Sequence, residues 1–265
     1  MQKSLNTSKW YDNLWAAFIF FTRLPFWRVY QPPQSSYKAV VEWWPLTGWL
    51  TGSAMAATLY FGSMAMPYSI AVMAAIIVRL LMTGALHEDG LADFLDGFGG
   101  GGTDRQRILD IMKDSHIGTY GVLGLILYLL LLGTTLFSLS PEIAALTILA
   151  ANPFSKMVAG QLVMMMPYAR TEETAKNKTV YRRMDWKAGI LLSIQGLLPM
   201  AGFLWLSRLP WEWIFFAPCL VMYFLYLLIW RRLRGYTGDC CGAVCLLVEL
   251  AVCLVVCALV TNPIG

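Results

Sequence analysis

The sequence predicts an all-α, polytopic membrane protein, and three observations lead to that fold class. Of the 265 residues, 58% are hydrophobic and only 14% are charged, whereas soluble domains carry about 25% charged residues. Several apolar runs approach or exceed the roughly 20 residues that cross a bilayer as a helix. The alternating ten-residue segments typical of a membrane barrel are not found in the sequence, and an open sheet would leave its edge groups unsatisfied in lipid.

Taken in order, the chain begins with a short apolar segment and continues with about seven transmembrane helices. Residues 14–21 are too few to span a bilayer, so we expect a short N-terminal interfacial or re-entrant helix there. The spans are expected at residues 44–66, 68–86, 120–139, 143–166, 188–206, 213–230 and 242–261. Thr103 or Asp104 can cap a cytoplasmic amphipathic helix over residues 105–115. We treat residues 1–265 as a single integral-membrane domain.

The distribution of Lys and Arg predicts the orientation. With seven spans, residues 23–43 and the long polar loops 87–118, 167–187 and 231–240 fall on one side of the membrane. These four segments carry three, three, six and three Lys or Arg residues, fifteen in all, whereas the opposite side carries only Arg208. The positive-inside rule places the fifteen in the cytoplasm. The same side holds the most acidic stretch of the chain.

That acidic stretch, residues 84–104, is the strongest functional signal in the sequence. Asp89, Asp93 and Asp96 are spaced i, i+4 and i+7, so on a helix they share one face. Like charges this close repel each other, and a divalent cation reverses the sign of that interaction. Mg²⁺ prefers hard oxygen ligands and binds through one or two carboxylates together with substrate phosphates. The spacing therefore predicts a Mg²⁺ site for a diphosphate substrate, and the alternative is a solvated helix end at the membrane surface.

Charged residues elsewhere in the chain are candidate partners for this stretch. Lys113 and Asp114 follow the amphipathic helix. Lys156 lies in mid-span after Asn152-Pro153, where a broken helix favours anion binding, and Asp239 follows a Gly-Tyr-Thr-Gly turn at the entry of the last span. Two further charges inside spans, Arg79 and Glu249, are costly in a membrane, and Arg79 is expected either to snorkel to the interface or to pair with Glu249.

Several motifs in this order resemble the cobalamin synthase family, the adenosylcobinamide-GDP ribazoletransferases. The resemblance covers most of the chain, and its central motif is residues 83–97, Thr-Gly-Ala-Leu-His-Glu-Asp-Gly-Leu-Ala-Asp followed by Asp96-Gly97. The supporting motifs are Phe21-Thr22-Arg23-Leu24-Pro25, Pro45-Leu46-x-Gly48, Ile111-Met112-Lys113-Asp114-Ser115, Tyr168-Ala169-Arg170 and Thr237-Gly238-Asp239-x-x-Gly242-Ala243. Two positions depart from the expected pattern, because Glu88 stands where an aliphatic residue is expected and Lys156 where an Arg would also fit.

The resemblance implies a multi-pass enzyme of the cell inner membrane whose active site faces the cytoplasm. Its substrates would be adenosylcobinamide-GDP and α-ribazole or α-ribazole 5′-phosphate, joined by a ribose hydroxyl with release of GMP. The bilayer is an expected partner, a homo-oligomer is allowed for, and no nucleic acid is expected.

The roles expected from the residues and the resemblance together are as follows. Asp89, Asp93 and Asp96 hold Mg²⁺, and Asp239 completes the metal site. His87 or Asp114 takes the proton from the incoming hydroxyl. The substrate-binding residues are expected to be Lys113, Lys156, Arg170, Thr237 and Gly238. Two rival functions remain open at this stage: a CDP-alcohol or prenyl-diphosphate membrane transferase, and a cation transporter.

Overall fold

The computed structural model describes residues 9–170 and 180–262, and these residues are almost entirely helical. The α-helices are α1 (Trp10–Phe21), α2 (Trp44–Ala65), α3 (Tyr68–Thr83), α4 (Leu86–Gly100), α5 (Arg105–Lys113), α6 (Thr119–Phe137), α7 (Pro141–Met165), α8 (Trp186–Ser207), α9 (Trp211–Leu233) and α10 (Gly238–Thr261). Two 3₁₀ segments, Phe26–Arg28 and Gln34–Trp43, connect α1 to α2. The short N-terminal helix and the amphipathic helix were both predicted from the sequence, and both are present.

The all-α polytopic fold class is confirmed, and the described residues contain five or six candidate spans where about seven, give or take one, were predicted. Five helices, α6 to α10, are long and apolar enough to cross a membrane, and α3 together with α4 makes a sixth if the pair counts as one span. Helix α2 has 22 residues, yet eight of them are Gly, Ser or Thr, so it lacks the apolar composition of a span.

The predicted span over residues 68–86 is wrong at its end, because the chain turns sharply before Leu86. Gly84 and Ala85 both have positive φ, +63° and +55°, and this left-handed backbone ends α3 at Thr83. Helix α4 then leaves at 89° to α3. Because of this bend, the acidic stretch lies across the bundle instead of continuing in the direction of α3.

Helices α7 and α10 form the centre of the bundle. Within their most apolar windows 72% and 67% of the residues are buried, against 17–33% for α6, α8 and α9. Helix α2 packs closely on α7 because Gly48 faces the Pro153 backbone and Gly52 faces Asn152. Small residues allow this approach of helix backbones within a membrane. The small and polar residues that disqualify α2 as a span are thus the ones that pack it against the central helix.

A buried polar network crosses this core and is centred on Arg79 of α3. The guanidinium donates to Glu88 Oε1 at 3.0 Å, to Glu249 Oε2 at 3.2 Å and to the Tyr128 hydroxyl at 3.1 Å. The side chains of Arg79, Glu88 and Glu249 are each at most 6% exposed. The pairing of Arg79 with Glu249 was predicted from the sequence, and the structure adds Glu88 as a second carboxylate.

The network continues through Asn152 to Lys156 on α7. The Asn152 amide nitrogen donates to Glu249 Oε1 at 2.9 Å, and the Lys156 ammonium donates to Asn152 Oδ1 at 2.6 Å. The Thr51 hydroxyl of α2 donates to the same amide oxygen. Two cations and two carboxylates therefore offset one another inside the bundle, which is the condition under which buried charge is tolerated.

We expect Arg79→Met to destabilise the protein by about 3–5 kcal/mol, because it leaves two buried carboxylates to be offset by Lys156 alone within this network. The matched control is Arg107→Met, at an exposed position. Its free energy of unfolding should stay within about 0.5 kcal/mol of the wild-type value. Unfolding in detergent micelles, followed by circular dichroism, measures both. Adding Glu88→Gln to Arg79→Met leaves Glu249 and Lys156 to offset each other, so it should recover most of the loss. If the double variant were as unstable as the single one, charge balance would not be the role of Arg79.

Candidate active site

A pocket of about 110 Å³ lies at the end of the bundle where the predicted cytoplasmic segments come together. It is lined by Phe20, Phe21, Val41, Trp44, Leu86, His87, Asp89, Tyr181, Gly238, Asp239, Cys241 and Gly242. These residues come from α1, from the 3₁₀ segment before α2, from the first turns of α2, α4 and α10, and from the connection to α8. Each of the four segments rich in Lys and Arg thus contributes to the pocket or adjoins a residue that does.

The pocket depends on a close crossing of α4 and α10. A Cβ added at Gly90 would lie 3.2 Å from Asp239 Cα, and one added at Gly242 would lie 3.2 Å from the His87 carbonyl oxygen. The two helices therefore cross where Gly90 faces Gly242, about one turn from the N-terminus of each helix. This places Asp89 of α4 and Asp239 of α10 in the same pocket. Carboxylates in the first turn of a helix are stabilised by its dipole.

The three aspartates on α4 have different surroundings, although the predicted helix is present. Asp89 is exposed and lines the pocket, whereas Asp93 is buried one turn farther along. Asp96 Oδ2 accepts from the Gly118 N–H at 2.7 Å, and Oδ1 accepts from the Gly121 N–H at 2.9 Å. Both donors belong to the start of α6, so the Asp96 carboxylate caps that helix from another part of the chain.

The described residues contain no cluster of three or more His, Cys, Asp or Glu side chains close enough to hold one metal ion. Asp89 and Asp96 are seven residues apart on the helix, which corresponds to about 10 Å. The three aspartates therefore share a helix face but cannot all bind the same metal ion. Asp89 and Asp239 line the pocket, and Asp93 lies one turn from Asp89 on α4. Two carboxylates with substrate phosphates are a normal Mg²⁺ environment, so this donor set fits the ion.

His87 is built into an aromatic stack at the pocket. Its ring lies 5.6 Å from that of Trp44 at an interplanar angle of 8°, and Trp44 in turn stacks on Phe21 at 5.0 Å and 11°. The Trp44 indole N–H donates to His87 Nε2 at 3.2 Å. A neutral ring that accepts at Nε2 carries its proton on Nδ1. His87 therefore offers a substrate a hydrogen-bond donor more readily than a base.

Lys113 and Asp114, predicted as a phosphate contact and a base, lie outside the pocket. Both are exposed at the end of α5. The Asp114 carboxylate accepts from the His116 ring at 2.7 Å, and the hydrogen bonds from His116 hold the pKa of Asp114 below its usual value. A carboxylate stabilised in its charged form is a weaker proton acceptor.

The other predicted substrate-binding residues have partners within the protein. Lys156 is buried and packs against Gly48, one turn after Trp44. The Arg170 guanidinium donates to the Leu109 carbonyl oxygen at 2.7 Å. Thr237 caps α10, since its hydroxyl accepts from the Cys240 N–H. Gly238 lines the pocket, and a Cβ added there would meet nothing within 4 Å.

Residues 167–169 are held beside the start of α10 by two backbone hydrogen bonds. The Tyr236 N–H donates to the Pro167 carbonyl oxygen at 3.0 Å, and the Ala169 N–H donates to the Tyr236 carbonyl oxygen at 2.8 Å. Burial, reinforced by the nearby Asp239 charge, raises the pKa of Tyr168 to about 12. This phenol therefore stays protonated at neutral pH and can act as a hydrogen-bond donor near Asp239.

Sequence reasoning missed the aromatic wall of the pocket. This wall is formed by Phe20, Phe21, Trp44, His87 and Tyr181, and of these only His87 was a candidate site residue in the sequence. Residues 171–179, which include the basic residues Lys176 and Lys178, lie outside the described part of the chain. One signal was available for Trp44, because it lies immediately before the Pro45-Leu46-x-Gly48 motif.

Comparisons with known proteins agree with one another. The chain matches the family described as CobS, cobalamin-5-phosphate synthase, over residues 13–257. A relative from Leptospira interrogans, named adenosylcobinamide-GDP ribazoletransferase, is 35% identical over 240 residues, covering 88% of this chain and 89% of its own. Proteins of the same name from Shewanella frigidimarina and Ralstonia pickettii are each 34% identical, covering 94% and 91% of this chain and 97% and 93% of their own.

No solved structure matches the chain significantly. The family match spans nearly every helix described above, including the crossing of α4 with α10 that forms the pocket. The relatives align over almost their full lengths. The chain belongs to the cobalamin-5-phosphate synthase family.

Proposed function

We propose that this chain is an adenosylcobinamide-GDP ribazoletransferase that works at the cytoplasmic face of the inner membrane. Its relatives carry that name over nearly their whole length. One observation supports placing the active site in the pocket: Asp89 and Asp239, from the first turns of two crossing helices, both line it. The excess of Lys and Arg in the segments around that pocket supports the cytoplasmic orientation.

The reaction is the transfer of a phosphoryl group to an alcohol. The ribose hydroxyl of α-ribazole, or of its 5′-phosphate, attacks the phosphorus of adenosylcobinamide-GDP that is remote from guanosine. A bond forms between the ribose oxygen and this phosphorus, the bond from the phosphorus to the bridging oxygen breaks, and GMP leaves with that oxygen. The proton of the hydroxyl must pass to a base in the site. Catalysis of such a transfer rests mainly on positioning and charge stabilisation.

Asp89 and Asp93 are our proposed Mg²⁺ ligands. They lie one turn apart on α4, and the substrate phosphates would supply further oxygens. When bound, the ion would offset the charge that develops on the transferred phosphoryl group. Asp96 is assigned to the cap of α6, because both of its carboxylate oxygens already accept backbone hydrogen bonds.

Asp239 is the proposed proton acceptor. It approaches the pocket from α10, opposite the acidic residues of α4, and lies among the phenols of Tyr168 and Tyr181. His87, held by Trp44, would donate a hydrogen bond from Nδ1 to a substrate oxygen. Lys156 would contribute positive charge from beneath the pocket, and Arg170 would hold α5 beside residues 167–169.

The direct test supplies the purified protein, in detergent or nanodiscs, with adenosylcobinamide-GDP, α-ribazole and Mg²⁺, and identifies the products by mass spectrometry. We expect GMP and adenosylcobalamin in equal amounts, with no GMP in EDTA. CDP-diacylglycerol and a prenyl diphosphate, offered separately, should give no product. Turnover of either of these with none of adenosylcobinamide-GDP would contradict the proposal.

We expect Asp89→Asn and Asp93→Asn to lower kcat by about 100-fold or more, since loss of a metal ligand removes several kcal/mol of charge stabilisation. Both variants should also need more Mg²⁺ for half-maximal activity. The matched control is Asp110→Asn, an exposed carboxylate whose described partner is the Gln106 side chain, and its activity should stay within about twofold of the wild type. Full GMP release by Asp93→Asn would refute the metal assignment.

Asp96→Asn should act on stability instead. Losing one of two capping acceptors costs about 1 kcal/mol, which lowers Tm by about 2–4 °C in a chain of this size. The Mg²⁺ requirement should not change. Thermal unfolding and a Mg²⁺ titration of activity distinguish the two roles: an unchanged Tm with a raised Mg²⁺ requirement would return Asp96 to the metal site.

A further inference from the structure

Apart from His87, the aromatic wall of the pocket is not used by the chemistry described so far. It has two parts, a stack formed by Phe21, Trp44 and His87, and an edge-to-face pair formed by Phe20 and Tyr181 at 6.1 Å and 86°. Three rings of the stack are buried, whereas Phe20 and Tyr181 are half-buried. The stack therefore supports the wall from behind, and the pair presents aromatic surface to whatever enters.

The pocket has room for about one aromatic ring, and the rest of a bicyclic base would lie at its open side. Its volume is about 110 Å³, and an apolar protein cavity of about 150 Å³ binds benzene. A corrin macrocycle is far too large for this space. The wall can therefore receive only a small flat part of a substrate, and aromatic rings bind such a part by stacking or edge-to-face contact.

Apart from the Nδ1–H of His87, which the proposed function assigns to a substrate oxygen, the aromatic wall offers few hydrogen-bonding groups. The Trp44 indole N–H is already engaged with His87 Nε2, and Val41 and Leu86 add only apolar surface. Burial keeps the Tyr181 phenol protonated by raising its pKa well above the ordinary value, so it supplies one hydroxyl. A base with many donors and acceptors on its edge, such as guanine, would lose hydrogen bonds to water without replacing them. A base with an apolar edge would lose almost no hydrogen bonds to water on entering the pocket.

We infer that this aromatic wall is the subsite for the base of the incoming nucleoside, and that it selects a planar bicyclic base with an apolar edge. This inference rests on the proposed function, since α-ribazole carries such a base, a dimethylated benzimidazole. The wall adjoins Asp239, which lines the same pocket. A base held there places its ribose beside the proposed proton acceptor and leaves Asp89 and Asp93 to the diphosphate of the other substrate.

The test measures KM separately for the two substrates in Phe20→Ala and Tyr181→Ala. Stacking of a base on an aromatic side chain is worth about 10–100-fold in binding by alanine substitution. We expect KM for α-ribazole to rise by that factor, while KM for adenosylcobinamide-GDP stays within about twofold. Phe20→Leu, which keeps apolar volume without a ring, should give a smaller rise in the same KM.

The matched control is Phe18→Ala on the same helix. Phe18 packs on Phe26 at 5.2 Å and does not line the pocket, so both KM values should match the wild type. Melting temperatures of all variants separate loss of folding from loss of binding. A second readout compares α-ribazole with guanosine as acceptor: the wild type should favour α-ribazole, and Phe20→Ala should reduce that preference.

The outcomes separate this inference from the function on which it rests. If the wild type releases no GMP, the proposed function fails and the inference fails with it. If the wild type turns over and KM for adenosylcobinamide-GDP alone rises in the variants, the wall holds guanine and the inference is overturned. Equal rises in both KM values, or no change in either, in folded variants also overturn it.

Discussion

The arrangement of this protein depends on the charge balance around Arg79. One guanidinium joins α3 to Glu88 of α4, Tyr128 of α6 and Glu249 of α10, and Asn152 extends the contact to Lys156 on α7. Two cations and two carboxylates buried in a membrane bundle are tolerated only while they remain together. Moving any of these helices would expose a charge to an apolar interior, so the network fixes their relative positions.

That constraint is what holds the acidic helix across the bundle. Glu88 anchors the first turn of α4 to Arg79, Gly90 lets the same turn cross α10, and Asp96 ties the other end to the start of α6. Asp89 and Asp93 lie between these attachment points. The fold thereby holds these two carboxylates at a fixed separation, so they are positioned before substrate binds.

The sequence was sufficient to predict most of the helices, but not most of the partners of the charged residues. Hydrophobic length and i, i+4, i+7 spacing identified the spans and the helix that carries Asp89, because both are local properties. The cap formed by Asp96 joins residues 22 and 25 positions apart, and Glu88 meets Arg79 only because Gly84 and Ala85 turn the chain. Tyr181 and Phe20 reach the pocket from distant segments. These contacts join residues that are distant in the sequence, so periodicity and spacing do not predict them.

The central claim is that one metal-dependent site is assembled from the first turns of α4 and α10. Replacing Mg²⁺ with Fe²⁺ in the presence of adenosylcobinamide-GDP, adding ascorbate and peroxide, and mapping backbone cleavage by mass spectrometry tests it directly, since hydroxyl radicals cut close to the ion. The account predicts cuts in two segments, residues 86–93 and residues 237–242, and their loss in excess Mg²⁺. Cuts confined to residues 113–116, or to α4 without α10, would contradict it.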